Sequence, residues 1–304
     1  MQDSVNHQPP GRTRRLRART LMICAGAALV ALLLGHLGYG LAHRLYNAPS
    51  DGDFSLVSDF ESGDTAVWNE QGVVQICCED SLEIVTAPVR RGRYAARFNL
   101  RRTDPDVKGG RRAEVRTKAA RWGREYWYAF SIFLTSDWPV QQAPVTVAQW
   151  HAVPDVWLAE AGNPPPFRLL IEDGQWTLAA IWDSKRVSRT WFTTFVPDGY
   201  TLKRIGPVDD GRWSDWRFRI RWSYGDDGLV EAWKDGQLAF RRDGANAYND
   251  AFAPYLKVGL YIPRWSTPSG SPSTGSDAID RHTVYFDEIQ VTDRRPQTAM
   301  VPEP

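Results

Sequence analysis

In Trp216-Arg217-Phe218-Arg219-Ile220-Arg221-Trp222 every second side chain is apolar and every intervening one is arginine. Side chains two apart share one face of a strand, so this run predicts a half-buried antiparallel strand. Shorter segments of the same kind recur from Phe54 onward, at residues 54–61, 73–78, 82–87, 94–100, 113–118, 126–134 and 145–153. They continue at 167–171, 176–182, 216–224, 230–233, 255–262 and 284–291. Glu172-Asp173-Gly174, Tyr224-Gly225-Asp226-Asp227-Gly228 and Lys234-Asp235-Gly236 carry turn residues between consecutive segments, which predicts hairpins. No long amphipathic helical pattern interrupts them. Many short strands without helices predict an all-β sandwich or jelly roll.

The N-terminus follows a different pattern. Residues 1–20 form a polar segment with Arg12, Arg14, Arg15, Arg17 and Arg19, and residues 21–42 (LMICAGAALVALLLGHLGYGLA) carry no formal charge. That run is long enough to span a bilayer as a single transmembrane helix, and the arginines before it place the N-terminus inside. It exceeds the usual apolar core of a cleaved signal peptide, although Gly40-Leu41-Ala42 offers a small-x-small site. The expected organisation is a basic cytoplasmic segment 1–20, a signal-anchor 21–42, a linker 43–53, one β domain 54–293 and a disordered tail 294–304. Membrane contact would run through residues 21–42, with the β domain on the periplasmic or extracellular side, or secreted if the segment is cleaved.

Charge changes the picture once the chain is divided. Of 37 Lys and Arg and 36 Asp and Glu, six basic residues and one acid lie in the first 50 positions. This leaves 31 basic against 35 acidic residues beyond, a balance of −4 that argues against a nucleic-acid binder. Any polyanion site must be locally basic. The 14 Trp supply ample core. Cys77 and Cys78 are read as packing cysteines, because neighbours on a strand face opposite ways; a vicinal disulfide or an intermolecular bridge are the alternatives.

Three stretches place reactive side chains on strand faces. Arg112 and Glu114 share a face, as do Gln149 and His151, and as do Tyr255, Lys257 and Tyr261 with Gly259 between them. Arg-x-Glu in RRAEVR, Gln-x-His in AQWHAV and Tyr-x-Lys-x-Gly-x-Tyr in YLKVGLYI together resemble the β-jelly-roll polysaccharide lyases, a group that includes alginate lyases, glucuronan lyases and heparin lyase I. FESGD, PVRRGRYAARFNL and VYFDEIQV look most like the heparin lyase I-like branch. The likeness covers about residues 54–293 and implies a jelly-roll or concanavalin-like β-sandwich. Pro263 stands where alginate lyases often carry Gln, which weakens alginate as the implied substrate.

The resemblance implies cleavage of a uronic-acid-containing polysaccharide by β-elimination. Arg112 and Gln149 would hold the uronate carboxylate, His151 would take H5, and Tyr261 would protonate O4 or serve as both base and acid. Lys257, Arg116, Glu114, Trp150 and Tyr255 complete the expected substrate site, with Lys257 placed to lower the Tyr261 pKa. Glu114 would orient Arg112 or Arg116. Arg219 or Arg221 would add basicity to the groove, and Trp150 and Trp265 would stack on sugar rings. The Ser, Pro and Gly-rich stretch 264–279 would form a loop or lid after the Tyr261 strand. The anionic polysaccharide is the expected partner, and oligomeric state is left open. No cofactor and no catalytic metal is required; Glu61 and Asp287 are candidates for a structural calcium. The alternative is a non-catalytic carbohydrate-binding jelly roll at the membrane. A glycoside hydrolase would need paired carboxylates of the Glu-x-Asp-x-x-Glu type, which the sequence lacks.

Overall fold

A computed structural model describes residues 12–140, 143–266 and 279–295. The first unit, up to Tyr46, holds the helix α1 (Arg12–Asn47), whose last residue belongs to the second unit. The helix stretch Met22–Asn47 is long and apolar enough to cross a membrane, a property it shares with a signal sequence, and its most apolar window has no buried residue. The helix runs five residues past the expected anchor end at Ala42, so the expected linker 43–53 begins in helix.

The second unit, from Asn47 onward, is a sandwich of two antiparallel sheets. One sheet holds β1 (Ser55–Ser58), β3 (Leu82–Val85), β4 (Ala95–Arg101), β6 (Glu125–Phe133), β11 (Trp213–Arg221), β12 (Leu229–Lys234), β13 (Gln237–Asp243) and β15 (Arg281–Thr292). Its order is β13-β12-β11-β6-β15-β4-β3, with β1 paired to the end of β15. The other holds β2 (Gly72–Gln75), β5 (Arg112–Thr117), β7 (Val145–His151), β8 (Phe167–Glu172), β9 (Gln175–Trp182), β10 (Gly199–Pro207) and β14 (Tyr255–Tyr261), ordered β10-β9-β8-β7-β14-β5-β2. A six-residue helix, α2 (Ala66–Gln71), buries Trp68, whose Nε1 donates to Ser58 Oγ at 2.9 Å.

The expected alternation is realised on β11. Trp216, Phe218, Ile220 and Trp222 are buried, and the three arginines face away from the core. Aromatic rings lock the sheets together: Trp150 lies 4.7 Å from Phe218 and Trp176 lies 5.4 Å from Trp216, centroid to centroid. Burial of such large rings is the main drive for the sandwich. The Asp173-Gly174 and Asp235-Gly236 turns both have positive φ, as two-residue hairpins of this twist demand. The strands β10 and β13 are absent from the sequence reading. They are the outermost strands of their sheets and are largely solvent-exposed, so neither carries a strong apolar alternation. Residues 267–278 of the expected loop or lid, and the tail beyond 295, lie outside the described residues.

Cys77 and Cys78 are joined as a vicinal disulfide, against the packing-cysteine expectation. They lie just beyond the end of β2 in non-strand backbone, so the alternation that would hold their side chains apart does not apply.

Gly259 is the position where close packing most clearly excludes a side chain. Its φ is +129°, and a Cβ there would sit 2.2 Å from the Ala113 carbonyl oxygen and 2.9 Å from Glu114 Cα. Both obstructing atoms are backbone of β5, so they cannot swing aside. Gly259→Ala is expected to destabilise the sandwich by more than about 3 kcal/mol, or to prevent folding. Urea unfolding monitored by tryptophan fluorescence would check this.

Candidate active site

The site is built on three neighbouring strands and a fourth beside them. β14 lies between β5 and β7, pairing Lys257 with Arg116, Gly259 with Glu114 and Tyr261 with Arg112 on one side. On the other it pairs Tyr255 with His151 and Lys257 with Gln149, with a bulge before Tyr261. β8 then sets Arg168 opposite Gln149. Alternation along each strand turns these polar side chains away from the aromatic core.

Glu114 is the hub beneath the site. One carboxylate oxygen accepts from Lys257 Nζ at 2.9 Å and from Arg112 at 3.1 Å, and the other accepts from the Gln149 amide. Burial pushes this carboxyl upward, but the Lys257 ammonium and Arg112 guanidinium outweigh it and hold the group below its ordinary value. Glu114 therefore stays ionised in the interior. Lys257 is itself brought down to about 8, by burial first and by the Arg112 charge, with Glu114 opposing both. One anion between two cations leaves this cluster with a net positive charge.

His151 stacks on Tyr255 at 5.5 Å between centroids, and its Nδ1 lies 2.8 Å from the Ala152 carbonyl oxygen. A carbonyl can only accept, so Nδ1 carries the proton and the neutral ring keeps its lone pair on Nε2. Burial and the nearby Lys257 charge lower its pKa to about 4. Arg112 stacks over the Tyr261 ring at 4.5 Å. Burial pushes the Tyr261 phenol up, opposed chiefly by Arg112 and also by Arg168, so it is protonated at neutral pH. The expected tuning of Tyr261 by Lys257 is not what the structure shows: the ammonium is bound to Glu114, and arginines act on the phenol.

Arg112, Gln149, His151 and Tyr261 all line one cleft of about 380 Å³. The other expected contacts separate by depth. Lys257 and Glu114 are each 2% exposed and bound to each other, which places them beneath the cleft in a supporting position. Arg116, also buried, donates to Asn47 and lies 4.6 Å over the Tyr255 ring, so Glu114 orients Arg112 and not Arg116. Trp150 is fully buried and packs in the aromatic core between the sheets, because it sits between Gln149 and His151 and so faces the opposite way. It cannot stack on a sugar. Trp265 is buried against His282, with Arg102 over its ring. Arg219 belongs to the opposite sheet and pairs with Glu125 and Glu231, while Arg221 donates to the Asp227 carbonyl; neither adds charge to the cleft.

Seven lining residues were not expected from the sequence, and four of them, Asn163, Arg168, Arg189 and Phe195, carry polar, charged or aromatic side chains. Arg168 in FRLLIE was visible as a polar residue within a strand, but its partner Gln149 lies across a long connection whose register no local signal fixes.

The two carboxylates suggested for calcium clasp a backbone segment. Glu61 accepts from the N–H groups of Arg93 and Tyr94, and Asp287 from those of Arg90, Arg91 and Glu288. Neither belongs to a group of three or more closely spaced His, Cys, Asp or Glu ligands among the described residues.

Residues 60–290 match the polysaccharide lyase family. The chain belongs to the polysaccharide lyases. Among solved structures, the endo-β-1,4-glucuronan lyase of the fungus Trichoderma reesei superposes with a TM-score of 0.63 at 21% identity, covering 79% of this chain and 95% of that one. Alginate lyase A1-II′ gives 0.51 at 14% identity over 74% and 95% of the two chains. The marine alginate lyase of Aplysia kurodai gives 0.51 at 12% identity over 79% and 98%. These likenesses establish the two-sheet fold. No curated protein sequence matches the chain.

Proposed function

We propose that this polysaccharide lyase cuts a 4-linked, uronic-acid-containing polysaccharide by β-elimination. The observation that carries the reading is the convergence of Arg112, Gln149, His151 and Tyr261 on one cleft. Arg112 receives the substrate carboxylate, and Gln149, whose amide already donates to Glu114, offers its second N–H. Neutralising that carboxylate makes the α proton on C5 acidic enough to leave. His151 Nε2 takes the proton as the C4–C5 double bond forms. The C4–O4 bond breaks, and the Tyr261 hydroxyl gives its proton to O4. No water is consumed. Incubating the full chain with glucuronan, alginate and heparin-type polymers, and reading the ultraviolet absorbance of unsaturated uronide ends, tests this. A cut polymer with saturated ends would refute elimination. The N-terminal helix is proposed to anchor the domain on the outer side of the membrane.

The pH dependence follows from the site's charges. His151 works as a base only when neutral, so kcat/KM should fall as pH drops through about 4, well below an ordinary histidine. Lys257 contributes its charge only when protonated, so kcat/KM should also fall as pH rises through about 8. A bound carboxylate puts negative charge beside the ring and raises its proton affinity. The acid limb of kcat should therefore lie above that of kcat/KM. An acid limb of kcat/KM at the ordinary histidine value of ~6.5 would contradict the buried-ring account.

A further inference from the structure

The cleft holds more positive charge than one carboxylate needs. Arg112 already shares Glu114 with Lys257. Across Gln149 lies Arg168, half-buried, which forms no ion pair and donates no hydrogen bond among the described residues, and its Nε is buried without a partner. Arg90, Arg97, Arg124, Arg219 and Lys234 elsewhere in the fold each face an acid, and Arg217 and Arg242 stack on tryptophan rings instead. Arg189, which lines the same cleft, holds the Gly162 carbonyl and likewise faces no carboxylate among the described residues. Keeping a guanidinium partly out of water with no anion is costly, and such a group is satisfied when a ligand supplies the anion.

We propose that Arg168, with Arg189 on the same cleft, forms a second anion subsite that takes the carboxylate of the sugar next to the one being cleaved. The substrate class is then a contiguous polyuronide, with acidic groups on adjacent sugars, and not a polymer in which uronate alternates with an uncharged sugar. This rests on the elimination reading for the identity of the first carboxylate. The two cation groups flank Gln149 and His151, so one carboxylate is handled at Arg112 while the neighbouring one is met at Arg168. Arg168 sets position and selectivity; it does not carry a proton.

The test compares the full chain with Arg168→Gln and Arg168→Lys on two tetrasaccharides: 1,4-linked glucuronate, and glucuronate alternating with N-acetylglucosamine. Losing a charged hydrogen-bonded contact corresponds to about a 10–100-fold loss of binding. The selectivity of kcat/KM for the contiguous substrate should fall by that factor in Arg168→Gln, mainly through KM, with Arg168→Lys intermediate. An equal loss on both substrates, or a loss mainly in kcat, would show that Arg168 serves the reacting sugar, through its carboxylate or through the Tyr261 phenol, and would overturn the proposal. So would an unchanged selectivity. Calorimetric binding of the contiguous tetrasaccharide separates the two readings. If wild type binds without cutting and Arg168→Gln binds at least about 10-fold more weakly, elimination fails and the subsite stands. If wild type does not bind it, the subsite is overturned.

Discussion

Replacing His151 by alanine is expected to lower kcat by about 10²–10⁴-fold, with KM changing by less than ~3-fold. The ring is neutral, its Nδ1 proton is committed to the Ala152 carbonyl, and its remaining lone pair is the free acceptor that C5–H abstraction needs. In the proposed mechanism its loss removes a group used in the transition state, while Arg112 and Gln149 would still hold the carboxylate. The fold should survive, since His151 keeps an edge on the cleft and its stacking partner Tyr255 also contacts Arg116. Steady-state kinetics of the variant and of Tyr261→Phe check the assignment. If Tyr261→Phe is inert and His151→Ala keeps near wild-type kcat, the phenol takes both proton roles and His151 is not the base.

Glu114→Gln is expected to cost about 3–5 kcal/mol of stability, the penalty of removing one member of a buried ion cluster. Lys257 and Arg112 would face each other across a neutral amide, and Gln149 would lose the acceptor that fixes its side chain. Activity should fall with it, because Arg112 is aimed by this contact. The same carboxylate makes a pH signature. Its folded pKa lies below the ordinary 4.5, so its contribution is fully present above that value and is lost as pH falls through the lowered folded pKa. Denaturant unfolding of wild type at descending pH should show this loss, and Glu114→Gln should lack it. A variant as stable as wild type at neutral pH would remove Glu114 from its supporting role.

The sandwich was legible because alternation is a local property. Trp216 to Trp222 show their faces in seven residues, and the Asp-Gly turns announce their hairpins. The strands β10 and β13 escaped notice because outermost strands meet water and carry little apolar pattern. Four cleft residues were also legible, since i and i+2 spacing places Gln149 with His151 without any knowledge of the fold. Depth was not. Whether Lys257 and Arg116 reach the cleft or lie under it depends on which strands flank β14, a long-range matter. Trp150 was readable and misread: the alternation that puts Gln149 and His151 together puts the residue between them on the other face. Arg168 depends on the pairing of β7 with β8, so only the assembled sheet reveals it.

The central claim is that the cleft eliminates and does not hydrolyse. The most direct measurement is the mass of fragments released when the full chain digests a glucuronan oligosaccharide of known length. Elimination predicts fragment pairs whose masses sum to the starting oligosaccharide, one of them bearing the unsaturated end. Pairs that sum to the starting mass plus one water would contradict it.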